Sequence, residues 1–185
     1  MIAEARRRFD GGGLAVDFQV GDALDLPFDD ASFDAARADR VLMFLDDPGR
    51  ALAELVRVTK AGGRIVVTEG DIGSHLVDAA DVETTRSVLT TLADRSPTAW
   101  SGRRLRGMFI DAGLLEVELD LVPILSTSFA EWNNRLGIEA FLSKAVEQGV
   151  LARERAFAWL NDLRAHDAGG KFTGVALLFT AAATR

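Results

Sequence analysis

The stretch DDPGRALAELVRVTKAGGRIVVTEG, residues 46–70, predicts a helix, a glycine stop and a buried strand. Asp46, Asp47 and Pro48 are typical of a helix start, since an acidic cap and an early proline suit the first turn. Apolar residues three and four apart then predict one inward-facing stripe. Gly62–Gly63 predicts the helix end, and Arg64–Gly70 has the composition of a buried strand. Helix, stop and strand form the second half of a βαβ unit, which indicates an α/β fold.

The residues before this unit predict a short helix and two strands. Met1–Phe9 is typical of a helix end, and DGGG at Asp10–Gly13 breaks it. Ala15–Val20 alternates apolar and polar residues, which favours a strand with one wet face. Pro27 and the acidic pair after it indicate a turn, and Phe33–Ala38 is the second predicted strand.

The residues after Gly70 predict further helices and two more strands. No repeat, low-complexity tract or linker divides the chain, so we predict a single domain over residues 1–185. Ser128 with Glu131 forms a capping-box pattern at the start of one helix. The predicted helices are Val82–Ala93, Leu105–Ala112, Ser128–Gln148 and Leu151–Arg164, and the predicted strands are Leu115–Val122 and Phe172–Thr184.

Composition excludes several function classes. The net charge of −7, from 21 basic and 28 acidic residues, disfavours nucleic-acid binding, and the basic clusters Arg6–Arg8 and Gly102–Arg104 indicate solvated helix surfaces. The chain has no cysteine, and His75 and His166 lack the spacing of metal ligands, so we predict no metal site. No apolar run reaches the ~20 residues of a membrane span, and the N-terminus does not resemble a signal peptide. We therefore expect a cytoplasmic protein.

The segment GDALDLPFDD, residues 21–30, is a candidate ligand site. Gly21, Asp22 and Ala23 follow a predicted strand, and ligands of open α/β sheets bind beyond the carboxyl ends of strands. The Asp22 carboxylate could accept a hydrogen bond from an exocyclic amine such as N6 of adenine. The Ala23 N–H could donate to a ring nitrogen, and Leu24 could supply an apolar wall. Taken alone, the segment favours the simpler interpretation that Asp22 only caps a turn.

Three motifs in register resemble one enzyme family. GDALDLPFDDASFD, DRVLMFLDDPGRALAELVRV and KAGGRIVVTEGD are similar, in order and spacing, to class I S-adenosylmethionine-dependent methyltransferases, particularly those of ubiquinone and menaquinone biosynthesis. The resemblance implies an α/β Rossmann-like sheet with helices on both faces and an antiparallel last strand. It implies S-adenosylmethionine as the cofactor, with Asp22, Ala23 and Leu24 at the adenine and Asp39 and Arg40 near the methionine part.

The same resemblance places Met43 and Phe44 against the substrate. Many relatives carry a polar pair there, so a pocket at this point is expected to be more apolar and to lack a general base. The catalytic residues stay unknown. Two segments, residues 71–114 and 129–164, are expected to roof the pocket of a small-molecule methyl acceptor. We expect no nucleic-acid or membrane partner.

The resemblance also implies that a part of the family fold is missing. The glycine-rich cofactor loop follows the family's first strand, whereas Asp10–Gly13 precedes a predicted strand. The family sheet has strand order 3-2-1-4-5-7-6, and here only strands three to seven can be assigned, so the chain is expected to be N-terminally truncated. Strand three could pair directly with strand four, or two chains could form a homodimer through the unpaired edge of strand four.

Two functions follow from these expectations. The leading one is S-adenosylmethionine-dependent methyl transfer to a small molecule. The alternative is a non-catalytic remnant of the methyltransferase fold that binds no cofactor and dimerises. Neither a dinucleotide-binding glycine motif nor a phosphate-binding lysine loop occurs in the chain, which disfavours other nucleotide-binding enzymes.

Overall fold

The computed structural model describes residues 2–9, 15–95 and 98–185. Within them, the chain forms one mixed sheet of four strands and seven α-helices. None of these helices is long and apolar enough to cross a membrane. The elements in chain order are α1 (Ile2–Arg8), β1 (Phe33–Asp39), a 3-10 turn (Leu42–Phe44), α2 (Pro48–Val58), β2 (Thr59–Val77), α3 (Val82–Asp94), α4 (Ser101–Asp111), β3 (Leu115–Ser126), α5 (Phe129–Leu136), α6 (Ile138–Glu147), α7 (Arg153–Ala168) and β4 (Gly174–Thr184).

The sheet has the strand order β1-β2-β4-β3. β1 and β2 are parallel, with Ala36 opposite Ile65, and β4 runs antiparallel to both of its neighbours. The order of these four strands is the 4-5-7-6 part of the expected family sheet. The α/β class, the Rossmann-like sheet and the antiparallel last strand are confirmed.

Helices α2 and α4 cover one face of the sheet. Asp47 starts α2 as predicted, because its Oδ1 accepts the N–H of Arg50 at 2.9 Å. Leu52 from α2 and Phe109 from α4 are buried against Ile65 on β2, in a core cluster that also includes residues of β1 and β4. The removal of these side chains from water is the main force that holds the two helices on the sheet.

A second core cluster lies among α3, α5, α6 and α7. Trp132 and Phe172 pack with ring centroids 5.8 Å apart near its centre. The predicted continuous helix from Ser128 is wrong, because Gly137 has a φ of 64° and separates α5 from α6. The Ser128 side chain makes no cap, and Asp167 instead accepts the N–H of Phe129 at 2.9 Å.

The predicted strand Ala15–Val20 is wrong. The segment forms no ladder, and Val20 is 83% exposed. A strand needs a partner for its backbone groups, and alternation alone does not supply one. Phe18 contacts Phe9 with ring centroids 5.7 Å apart, and its carbonyl accepts a hydrogen bond from Arg6 at 2.8 Å. The segment therefore contacts α1 and the residue after it, and not the sheet.

The direct pairing of this segment with β1 is consequently also wrong. In the described part of the chain, β1 pairs with β2 alone, and its outer edge has no strand beside it. A homodimer through this edge stays a prediction. Asp10–Gly13 lies outside the described residues.

The strand β2 is much longer than the predicted Arg64–Glu69. It begins directly after α2, so the glycine pair at 62–63 lies within it, where a bulge offsets its pairing with β1. At the other end it continues to Val77, well beyond the end of β1. The first predicted roof segment, residues 71–114, therefore begins as part of β2 and ends with α4, which packs on the sheet. Of its two helices, only α3 contributes to the second core cluster.

Candidate functional site

The carboxyl end of β1 carries two charged residues that the resemblance assigns to the cofactor. Asp39 ends the strand, and Arg40 follows with a φ of 52°, in the left-handed region that non-glycine residues rarely adopt. Asp39 forms ion pairs with Arg37 at 2.9 Å and with Arg40 at 3.1 Å. The Arg40 N–H donates to the carbonyl of Thr68 at 2.8 Å, so the chain turns away from the sheet at a fixed point.

The turn after β1 is held by a buried carboxylate. Glu69 on β2 is fully buried and accepts the N–H groups of Val41 at 3.1 Å, Leu42 at 2.7 Å and Met43 at 3.3 Å. Burial raises the pKa of Glu69, and the three N–H groups oppose that shift. Glu69 thus positions the 3-10 turn that contains the predicted substrate residues.

The two predicted substrate residues differ in exposure. Met43 is half-buried beside Gly70, and its carbonyl accepts a hydrogen bond from the Thr98 hydroxyl. Phe44 is 77% exposed. The structure therefore places Met43 at the junction of β2 and the segment after α3, and leaves the ring of Phe44 on the surface.

The Asp22 turn is closed by a backbone hydrogen bond from Asp25 to Asp22 and by the Asp22 side chain. One Asp22 carboxylate oxygen accepts the N–H of Leu24 at 2.9 Å. Ala23 and Leu24 pack against the core cluster that includes Ala38 and Leu42, at the end of β1. The second Asp22 oxygen and the Ala23 N–H make no hydrogen bond within the described residues. The turn therefore presents one free acceptor and one free donor in adjacent positions.

Two residues of α2 fix this turn to the helix. Glu54 accepts the N–H of Leu26 at 2.7 Å, and Arg57 donates to the carbonyls of Leu26 at 2.9 Å and Phe28 at 2.7 Å. The hydrogen bond from Arg57 lowers the pKa of Glu54 to about 2. Asp22 is thus held on an ordered support.

An ion pair with one buried partner links β2 to α4. Asp71 is fully buried and takes a bidentate contact from Arg103, with two N–O distances of 2.7 Å. The Arg103 guanidinium also lies 4.4 Å from the ring centre of Trp100. Sequence reasoning assigned Arg103 to solvated surface with Arg104, since nothing in the local pattern distinguishes the two arginines. The available sequence signal for this ion pair was Asp71 itself, since an acidic residue two positions after Glu69 on a buried strand requires a partner.

The comparisons with known proteins agree with this architecture. Residues 1–67 match the family model described as a methyltransferase domain. A demethylmenaquinone methyltransferase of Renibacterium salmoninarum is 52% identical over 54 residues, which cover 29% of this chain and 23% of that protein. The predicted resemblance to the class I methyltransferases is confirmed.

The methyltransferase likeness extends beyond the matched segment in fold. The crystal structure of a "putative methyltransferase" from Bacillus halodurans superposes with a TM-score of 0.64 at 18% identity, over 99% of this chain and 78% of that one. In sequence, an uncharacterized 37.1 kDa protein in transposon Tn4556 of Streptomyces fradiae is 34% identical over 99% of this chain and 52% of its own length.

The chain spans about half the length of that transposon protein and less of the other curated relatives. The methyltransferase match over residues 1–67 contains every residue from Asp22 to Phe44 that the resemblance assigns to a role. Glu69, Asp71 and Arg103 lie outside it, and their contacts are visible only in the structure.

Proposed function

We propose that this chain binds S-adenosylmethionine along the carboxyl ends of β1 and β2 and transfers its methyl group to a small-molecule acceptor. The observation that carries this proposal is the Asp22 turn, where a carboxylate oxygen and an adjacent backbone N–H have no hydrogen-bond partner among the described residues. That donor and acceptor pair matches the exocyclic amine and ring nitrogen of adenine, and the half-buried Leu24 supplies an apolar contact for the ring.

The other residues that the resemblance assigns to the site are consistent with the same proposal. Asp39 and Arg40 supply opposite charges that can pair with the ammonium and carboxylate groups of the methionine part. Met43 and Phe44 follow on the acceptor side. S-adenosylmethionine, when bound, supplies a methyl group already activated on a sulfonium, so the protein is required mainly to align the two reactants. A dedicated base is therefore not needed for the proposal.

Titration calorimetry with S-adenosylhomocysteine tests the cofactor site directly. The sharpest variant is Asp22→Asn, because its amide oxygen still accepts the Leu24 N–H while its amide nitrogen cannot accept from adenine. Asp25→Asn is the matched control, since Asp25 lies exposed in the same turn. We expect micromolar binding by the parent chain, about tenfold weaker binding by Asp22→Asn and unchanged binding by Asp25→Asn.

The alternative function predicts a different result. A folded chain that binds no S-adenosylhomocysteine would contradict the proposal and favour a non-catalytic relative. The unpaired outer edge of β1 in the described residues is the observation that keeps this alternative open. Equal losses in Asp22→Asn and Asp25→Asn would place the cofactor elsewhere.

A further inference from the structure

A cavity of about 280 Å³ lies between the far end of β2 and α3, above the sheet edge. Its walls are mainly apolar, with Trp100 on one side, Leu76 and Val77 from β2, and Leu89 and Ala93 from α3. An apolar cavity of roughly 150 Å³ is known to hold benzene, so this space accommodates one or two aromatic rings.

Two polar side chains of the cavity have unused binding capacity. Arg86, on α3, makes no hydrogen bond or ion pair with any described residue. The Nδ1 atom of His75 is buried without a hydrogen-bond partner in the same part of the chain. Burial lowers the pKa of His75, so the imidazole is neutral near pH 7 and leaves Arg86 as the charged group of the lining.

The cavity is joined to the candidate cofactor site by a short, fixed segment. The Thr98 hydroxyl donates to the carbonyl of Met43, and the Ala99 carbonyl accepts the N–H of Ile72 at 2.8 Å. The next residue, Trp100, forms the cavity wall and packs closely on Gly73. The segment from Thr98 to Trp100 therefore links the predicted substrate residue Met43 to one wall of the cavity.

We propose that this cavity binds an aromatic carboxylate of one or two rings, whose acidic group pairs with Arg86. Resting on the proposed function, we assign this ligand as the methyl acceptor. The apolar walls select the rings, and the unpaired guanidinium selects a negative charge over a neutral group of the same shape.

The binding test uses 2-naphthoate and its neutral isostere 2-naphthamide, with calorimetry and the indole N–H signal of Trp100 in nuclear magnetic resonance spectra. Trp100→Phe assigns that signal. We expect sub-millimolar binding of 2-naphthoate that shifts the Trp100 signal, and weaker binding of 2-naphthamide. Arg86→Gln should weaken 2-naphthoate about fivefold and leave 2-naphthamide unchanged. Arg106→Gln, an exposed arginine on α4, is the matched control and should change neither.

Several results would overturn the assignment. A Trp100 signal that neither probe shifts would exclude the cavity as the site, and equal affinities for the two probes would exclude the role of Arg86. Binding of S-adenosylhomocysteine without 2-naphthoate would refute this inference and leave the proposed function intact. Binding of 2-naphthoate without S-adenosylhomocysteine would support the cavity as a ligand site and overturn its role as an acceptor site together with the proposed function.

Discussion

The carboxylate of Glu69 accepts the backbone N–H of Leu42 at 2.7 Å, so that the end of β2 holds the turn that leaves β1. The same carboxylate takes the N–H groups on either side of Leu42. The first N–H groups of a 3-10 turn have no carbonyl partner within the turn. Glu69 supplies the acceptor for three of them at a position that is buried from water. This side chain therefore helps to fix the turn that carries Met43 and Phe44.

Replacing Glu69 with leucine should destabilise the fold. The three N–H groups would lose their acceptor inside the protein, and we expect the free energy of unfolding in urea to fall by about 1–3 kcal/mol. Glu118→Leu is the control, since Glu118 is exposed on β3 and its ion pair with Arg64 lies on the surface. That change should stay within about 0.5 kcal/mol. Similar losses in the two variants would contradict the structural role of Glu69.

Glu69 should also contribute to the pH dependence of stability. Its pKa in the folded state is raised by burial above the ordinary glutamate value of 4.5. The folded protein therefore keeps this proton to a higher pH than the unfolded chain does. Its contribution to stability is present in full below pH 4.5 and is lost as the pH rises through the folded pKa.

Glu69→Gln removes that titration and provides the measurement. We expect the unfolding free energy of the parent chain, relative to Glu69→Gln, to decrease as the pH rises above 4.5. Urea unfolding at a series of pH values gives this difference. A difference that increased with pH would show that the three N–H groups outweigh burial.

The ion pair between Asp71 and Arg103 should contribute to the stability of the fold, whereas the neighbouring Arg104 should not. Arg103→Ala leaves a fully buried carboxylate without its cation, and we expect a loss near the lower end of about 3–5 kcal/mol because the guanidinium itself is partly exposed. Arg103→Lys should recover part of it, since lysine keeps the charge and loses the bidentate contact. Arg104→Ala, one residue on and exposed, should change the unfolding free energy by less than about 0.5 kcal/mol. A loss in Arg104→Ala equal to that in Arg103→Ala would refute the assignment.

Gly73 and Gly107 form a matched pair for testing the Trp100 wall. A Cβ at Gly73 would lie 2.0 Å from a Trp100 ring carbon, so Gly73→Ala must displace the indole. We expect a loss of about 1–3 kcal/mol and a changed Trp100 signal. A Cβ at Gly107, within α4, meets no atom within 4 Å, and Gly107→Ala should stabilise the protein by up to about 1 kcal/mol. An unchanged Trp100 signal in Gly73→Ala would show that the ring does not occupy the described position.

Local patterns were sufficient for elements that bury an apolar stripe. The start of α2 at Asp47 and the parallel strand pair around Ile65 follow from caps and buried runs, because these signals act over a few residues. The same reasoning failed at Ala15–Val20, where the alternation is genuine and no neighbouring strand supplies backbone partners. It failed again at Gly137, whose positive φ ends α5 inside a pattern that predicted a continuous helix.

The sequence by itself determined the α/β class, the resemblance to the class I methyltransferases and the strand order that this resemblance implies. The tertiary structure alone decided which charged residues are buried. Asp71 pairs with Arg103 across 32 residues of chain, and Glu69 reaches back 27 residues to Leu42. Contacts at such separations depend on how β2 passes the end of β1 and on where α4 packs, and no short-range pattern encodes them. For that reason the tertiary structure alone forms the cavity beside Trp100 and leaves the guanidinium of Arg86 without a partner among the described residues.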